Sequence, residues 1–218
     1  AAHAPMALYP VDDRAQFDLA TLASRITPRT RAIYVVHYFG FPQDVRRVRA
    51  LADERGVLLI EDCAHALFGR SEHQWLGEFG HAAIFSLRKT LPLPDGGALV
   101  VRDPVPAPLV PVERIPLART AVSLGRLVAK AALFGLQWRP GVGPPLNAQT
   151  ATSLDSRAIS TAALHLYSRA DVASITGQRR ANYRFYLARL GAWALYPQLP
   201  DGVVLVDHVL SEEGRPPN

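Results

Sequence analysis

The sequence predicts an α/β protein with a mostly parallel sheet and flanking helices. Short apolar runs alternate along the chain with segments of helical periodicity. The runs are continuous rather than alternating, which is typical of strands buried on both faces of a parallel sheet. Polar residues follow the runs directly, at the edge where open α/β sheets bind their ligands. These three observations indicate a doubly wound sheet built from βαβ units.

The predicted elements begin with the order strand, helix, strand, helix, strand. The predicted strands are residues 6–9 (weak), 32–36, 57–60, 82–85 and 98–101, and the predicted helices are residues 17–25 and 43–54. Gly56 ends the second helix, because glycine adopts the left-handed conformation of a helix C-terminus at little cost. Asp95-Gly96-Gly97 predicts a tight turn between the last two strands. Parallel strands in this order need right-handed crossovers.

The composition and the predicted elements of the chain change after residue 101. Residues 103–117 carry five prolines and predict an extended connector. Residues 118–138 predict an apolar helix whose uncharged runs are too short to span a bilayer. A packing helix is the simpler interpretation, and a helix that lies on a membrane surface or binds a partner is the alternative. Residues 159–190 predict one long helix or two, and residues 203–206 a short strand.

The composition is that of an ordinary globular protein, with 49% hydrophobic and 20% charged residues. Of the 24 basic residues only Lys89 and Lys130 are lysines. The arginines are scattered and have few aromatic neighbours, so a nucleic-acid partner is not expected. The single cysteine, Cys63, excludes an internal disulfide framework and indicates a reducing compartment. The N-terminus shows no signal peptide, and we expect a cytoplasmic protein.

Four polar side chains follow two neighbouring predicted strands: Asp62, His65, Ser86 and Lys89. By itself, each side chain could have a purely structural role. Asp62 could be a strand-end cap, His65 a helix-start residue, Ser86 a turn former and Lys89 a solvated charge. Together they indicate a site for pyridoxal phosphate (PLP), which needs a lysine amine for a covalent link and an acid against its pyridine nitrogen. A hydroxyl or backbone amides must also bind its phosphate. No metal site is predicted.

Five segments in order carry a resemblance to a known family: residues 26–33, 36–42, 61–66, 77–86 and 95–98. Residues from about 13 to 103 resemble the DegT/DnrJ/StrS family of PLP-dependent sugar aminotransferases. The resemblance implies the PLP-dependent transferase fold of fold-type I aminotransferases, with an incomplete small domain. Residues 1–115 would form part of the PLP-binding large domain. Residues 116–218 would form a helical connector and a partial C-terminal small domain.

The resemblance also implies roles for the four polar side chains. Asp62 would be the partner of the pyridine nitrogen, and His65 would lie against the cofactor ring. Ser86 would contact the phosphate, and Lys89 would hold the cofactor covalently. The implied reaction transfers an amino group from an amino-acid donor to a keto-sugar, which the family takes in nucleotide-linked form. A homodimer is implied, because the family's site forms between two subunits. Arg88 is left open between an anion-binding role and a surface position.

The chain departs from the family in three places. The segment between Ser86 and Gly96 is shorter, the Gly-Thr turn before a phosphate-binding helix has no counterpart, and the final strands of the small domain are missing. We therefore expect a chain that is truncated at both ends. The alternative function is that of a catalytically silent or truncated homologue, which acts as a scaffold or dimerisation partner.

Overall fold

The strands form a four-stranded sheet and a separate two-stranded ribbon. This computed structural model describes residues 5–102 and 158–205, with a few single helical residues between 118 and 129. The strands are β1 (Ala32–Val36), β2 (Leu58–Asp62), β3 (Arg70–Ser71), β4 (Gln74–Trp75), β5 (Ala82–Ser86) and β6 (Gly97–Val101). The sheet has the order β1-β2-β5-β6, and β3 pairs with β4. The β1–β2 and β2–β5 pairs are parallel and β6 is antiparallel, so the predicted mostly parallel α/β fold is confirmed.

Five α-helices have described bounds within residues 5–102 and 158–205. They are α1 (Leu19–Ser24), α2 (Val45–Arg55), α3 (Leu87–Thr90), α4 (Thr161–Ser168) and α5 (Val172–Leu190). Four begin at a side chain that accepts a hydrogen bond from the first turn: Asp18, Asp44, Ser160 and Asp171. Gly56 ends α2 in the left-handed conformation, with φ of 62°, as predicted.

The main core lies between α2 and one face of the sheet. α2 buries Val45, Val48, Leu51 and Ala52, and the sheet contributes Ile33, Val35 and Leu59. The residues from β1 and β2 alternate with more exposed neighbours, because successive side chains of a strand point to opposite faces. One face of the sheet is therefore covered by α2. The opposite face includes Tyr34 and Asp62, which contribute to the site described below.

Two smaller cores join residues 158–205 to the sheet. In the first, the Phe41 ring stacks on Tyr196 with ring centroids 3.7 Å apart, and Tyr183 packs beside them. In the second, Ala163 of α4 is buried against Leu87 and its neighbours after β5. Buried apolar contacts of this kind are the main favourable contribution to folding. Residues 158–205 are therefore packed close to the carboxyl ends of the strands.

Two predicted strands are wrong. Residues 6–9 form no strand, since Met6 and Leu8 are 88% and 83% exposed, and the flanking Pro5 and Pro10 have no N–H to donate to a ladder. Residues 203–205 are buried but also form no strand. Their carbonyls accept hydrogen bonds from arginine side chains, Val203 O from Arg180 and Leu205 O from Arg179, in place of a ladder. Residue 206 lies outside the described residues.

Two further predictions are refined by the structure. The helical segment 159–190 consists of two helices, α4 and α5, because Asp171 caps a new helix start. Ser86, which by itself could have been a turn former, begins the one-turn helix α3 that carries Lys89. The predicted connector 103–117 and most of the predicted helix 118–138 lie outside the described residues, and the domain boundary at residue 115 stays a prediction. No helix in the described part of the chain is both long and apolar enough to cross a membrane.

Replacing Asp171 by alanine is expected to lower the free energy of unfolding by about 1 kcal/mol. The Asp171 carboxylate accepts the Ser174 N–H at 3.0 Å, and alanine leaves this first-turn donor without its cap. The Asp171→Asn variant keeps an acceptor oxygen and is expected to stay within about 0.5 kcal/mol of the parent. Equilibrium urea unfolding measures both variants. An equal loss in the two would contradict the capping role.

Candidate active site

The candidate site lies at the carboxyl ends of β2 and β5. Asp62 is the last residue of β2 and Ser86 is the last residue of β5. The two strands are parallel, and Asp62 lies opposite Ile84. Because residues two apart on a strand share a face, Ser86 and Asp62 point to the same side of the sheet. The structure therefore places both predicted residues at one edge and on one face.

The Asp62 carboxylate is held by two hydrogen bonds. The Tyr34 hydroxyl donates to Oδ2 at 2.7 Å, and the Ala64 N–H donates to Oδ1 at 2.9 Å. Burial, followed by the acceptor and charge of Asp62, raises the pKa of Tyr34 above its usual value. The phenol therefore stays protonated and donates at neutral pH. Both carboxylate oxygens have a set orientation, and Asp62 is only partly buried, which leaves the carboxylate accessible from the sheet edge.

The Lys89 amine lies against His65. Lys89 Nζ is 2.8 Å from His65 Nε2, and His65 Nδ1 accepts the Phe39 N–H at 3.3 Å. The Phe39 and His65 rings are tilted, with their centroids 5.9 Å apart. Phe39 has a positive φ of 58°, which is uncommon for a residue with a side chain. The backbone at Phe39 thus orients the imidazole that contacts the amine, and the structure brings these two predicted residues together.

Ser86 and Arg88 flank the lysine. Ser86 occupies the N-cap position of α3, but its side chain makes no capping bond. Within the described residues its hydroxyl forms no hydrogen bond, so it can serve a ligand. Arg88 is exposed on α3, and the structure does not assign it to the predicted cluster.

A buried hydrogen-bonded pair underlies this edge of the sheet. Glu61 and His37 are both fully buried, and Glu61 Oε2 accepts from His37 Nε2 at 3.0 Å and from Gly77 N at 2.9 Å. Glu61 Oε1 accepts a further short hydrogen bond from Gly80 N. His37 Nδ1 accepts the Gln43 N–H at 3.2 Å, so the ring proton sits on Nε2 and is donated to Glu61. This network ties β1, β2 and the segment before β5 together.

His37, Glu61 and Cys63 place one ligand atom each within 4.8 Å of one another, the spacing of a metal site. Both His37 nitrogens are occupied by hydrogen bonds, however. Burial, and then the charges of Glu61 and Asp62, raise the pKa of the Cys63 thiol, which keeps it protonated at neutral pH. The three side chains therefore contribute to the structure of the core and are not available as metal ligands.

Sequence reasoning missed Tyr34 and His37 as partners of the two carboxylates. Both lie in or just after β1, while Glu61 and Asp62 end β2. A parallel β1–β2 pair with Tyr34 opposite Ile60 places Tyr34 on the same face as Asp62. The register was the missing information, because only it shows which side chains of the two strands meet.

The fold is shared with solved aminotransferases. DesV of S. venezuelae, crystallised in complex with a ketimine intermediate, aligns with 94% of this chain and 52% of its own at a TM-score of 0.58 and 24% identity. The sugar aminotransferase CalS13 of Micromonospora echinospora aligns with 92% of this chain and 53% of its own, at a TM-score of 0.55 and 22% identity. At these identities the likeness shows the fold alone. It is the fold of solved aminotransferases, so the predicted fold class is confirmed.

Residues 5–110 match the sequence model of the DegT/DnrJ/EryC1/StrS aminotransferase family. The erythromycin biosynthesis sensory transduction protein EryC1 of Saccharopolyspora erythraea is 42% identical over 105 residues, which is 47% of this chain and 27% of that protein. The L-glutamine:2-deoxy-scyllo-inosose aminotransferase of Streptomyces kanamyceticus is 40% identical over 90 residues, 40% of this chain and 21% of that protein. The matched segment is just under half of the chain, and it confirms the predicted resemblance to this aminotransferase family. The chain spans about a quarter of these curated relatives and about half of the solved structures.

Proposed function

We propose that this chain is part of a PLP-dependent aminotransferase that transfers an amino group from an amino-acid donor to a nucleotide-linked keto-sugar. The observation that carries the proposal is the Lys89–His65 contact of 2.8 Å beside a carboxylate, Asp62, whose two oxygens are both oriented. The match of residues 5–110 to the sequence model of an aminotransferase family supports the same reaction class. The proposed enzyme is a homodimer, as the family resemblance implies, and we place it in the cytoplasm as part of the same proposal.

The donor set of the site fits PLP. When bound, the cofactor supplies an aldehyde that links to amines and a protonated ring that accepts electrons. Lys89 would provide the amine for the link, and Asp62 would keep the pyridine nitrogen charged. His65 would lie against the ring, and the uncommitted Ser86 hydroxyl would donate to the phosphate. Every chemical type that the cofactor requires is therefore present at one edge of the sheet.

The protein residues would also carry the proton transfers. The Lys89 amine would act as the base that holds and moves the proton of the donor Cα. Its exposed position on α3, with the amine against His65, supports this movement. Tyr34 would keep the Asp62 carboxylate in one orientation throughout, because its hydroxyl stays protonated.

The experiment that tests this proposal is trapping of the cofactor on the purified chain. PLP is added, the protein is reduced with borohydride, and the labelled lysine is located by peptide mapping. We expect the adduct on Lys89, together with a visible absorbance band before reduction. The Lys89→Ala variant is expected to lose both signals by at least about tenfold, because the covalent link requires its amine.

The matched control is Lys130→Ala, which removes the only other lysine of the sequence and is expected to keep the full adduct. Labelling that persists in Lys89→Ala would contradict the assignment of Lys89. Absence of an adduct in the parent chain would favour the alternative, a catalytically silent homologue that acts as a scaffold or dimerisation partner.

A further inference from the structure

The imidazole of His81 forms part of the hydrogen-bond ladder between β2 and β5. His81 directly precedes β5, and its backbone N–H donates to Leu59 O at 2.8 Å. The Leu59 N–H donates in return to His81 Nδ1 at 2.9 Å. A single residue therefore supplies both the donor and the acceptor that hold Leu59, and the acceptor is a titratable side chain rather than a peptide carbonyl.

The backbone carbonyl expected at this place has another partner. In a parallel ladder the N–H and the C=O of one residue bond to residues two apart on the neighbouring strand, so Phe79 O is the expected acceptor for Leu59 N. Phe79 O instead accepts from Arg49 Nη1 at 2.8 Å. Leu59 is fully buried and His81 is 7% exposed. The bond to the ring therefore lies in the interior, where a donor that loses its acceptor is costly.

This bond requires one protonation state of His81. Nδ1 needs its lone pair to accept the Leu59 N–H, so the neutral ring carries its proton on Nε2. A second proton would go onto Nδ1 and would face the Leu59 N–H, donor against donor. Protonation of the ring therefore breaks the bond between His81 and β2.

Two charged side chains of α2 face the ring and act in opposite directions. Asp53 Oδ1 lies 3.7 Å from His81 Nε2, which favours the charged ring. Arg49 Nε donates to both Asp53 carboxylate oxygens at 2.9 Å and offsets that attraction. Burial, followed by the charge of Arg49, lowers the pKa of His81, and Asp53 opposes this shift. The neutral ring is therefore the form that the fold favours.

Two further charged side chains contact the backbone beside the ring. Beyond β6, Arg102 donates its backbone N–H to His81 O at 2.9 Å and its Nη1 to Gly80 O at 3.2 Å. From β2, the Glu61 carboxylate accepts the Gly80 N–H. Residues 80–81 are thus held from both neighbouring strands, and a proton added to the ring acts on Leu59 rather than on a loosely held loop.

We propose that His81 is a pH-sensitive switch on the β2–β5 pair. At neutral pH the ring accepts the Leu59 N–H and holds the two strands together, and in mild acid it takes up a proton and releases Leu59. β2 ends at Asp62 and β5 ends at Ser86, so the switch acts on the two strands that carry the candidate site. It operates whether or not the chain binds a cofactor.

The direction of the effect follows from the lowered pKa of His81 in the folded state. Between that lowered pKa and the ordinary histidine value of about 6.5, the unfolded chain binds more protons than the folded chain. The stability that His81 contributes is therefore fully present above about pH 6.5, and it is lost as the pH falls toward the folded-state pKa.

Hydrogen exchange of the Leu59 amide, measured by NMR on the full chain, tests the switch. After correction for the intrinsic exchange rate, we expect its protection to fall at least about tenfold between about pH 7.5 and about pH 5. The His81→Asn variant keeps an acceptor oxygen at the place of Nδ1 and does not titrate, so its Leu59 protection should change less than about threefold. His73→Asn, which removes an exposed histidine, is the matched control and should behave like the parent.

Equal losses of Leu59 protection in the parent and in His81→Asn would overturn the proposal, because another group would then be responsible. Constant protection in the parent would overturn it as well. A second measurement needs no variant: long-range ¹H–¹⁵N spectra of the parent show which ring nitrogen carries the proton. We expect the Nε2–H form of His81 at neutral pH, and finding the proton on Nδ1 would contradict the switch.

Discussion

The Glu61→Ala variant is expected to be less stable than the parent by about 3–5 kcal/mol, because each buried donor that loses its acceptor costs about 1–3 kcal/mol. Glu61 is fully buried and accepts hydrogen bonds from His37 Nε2, Gly77 N and Gly80 N. Alanine leaves three buried donors without an acceptor and opens a cavity beneath the site edge. Equilibrium urea unfolding, followed by circular dichroism, measures the loss.

The control for Glu61 is Glu54→Ala, on the exposed surface of α2. Glu54 pairs with Arg55 at 3.3 Å, and both side chains are largely solvated. Exposed pairs of this kind contribute about 0–1 kcal/mol, so the control should unfold almost like the parent. A comparable loss in the two variants would contradict the view that the Glu61–His37 network supports the carboxyl ends of β1 and β2.

The Gly40→Ala variant is expected to lose about 2–5 kcal/mol of stability from backbone strain and overpacking. Gly40 has φ of +97°, a conformation that side chains rarely adopt. A Cβ at this position would overlap the Val204 carbonyl oxygen and would lie 3.0 Å from the His65 carbonyl oxygen. The substitution therefore pushes residues 203–205 away from the site and disturbs the backbone that follows Phe39.

The Gly56→Ala variant separates the contribution of backbone strain from that of overpacking. Gly56 also has a positive φ, of +62°, but a Cβ there would meet nothing within 4 Å. The Gly56→Ala variant is expected to lose about 1 kcal/mol of stability, from the backbone conformation alone. Thermal and urea unfolding of both variants measure the difference. Equal destabilisation of the two would show that the close approach of Val204 to Gly40 is not important for stability.

Much of the local structure could be predicted from the sequence. The apolar runs of β1, β2 and β5 are short and continuous, which is the pattern of parallel strands. The run of β6 also forms a strand, but that strand is antiparallel and mostly exposed. Gly56 ended α2 as expected, since few other residues adopt a left-handed C-terminus. The wrong strand at residues 6–9 shows the limit of the approach, because four apolar or small residues between prolines do not form a ladder without a neighbouring strand.

The sequence by itself determined the chemical types at the candidate site and the order of the elements that carry them. Asp62 and Ser86 end two strands, and parallel pairing alone brings such ends to one edge. Only the tertiary structure decided which side chains meet, as in Tyr34 with Asp62 and Lys89 with His65. It also placed Arg179, 90 residues along the chain from Lys89, at the carbonyls of α3. The physical reason is that periodicity reports which residues are buried, while strand register and helix packing set which groups come within hydrogen-bond distance.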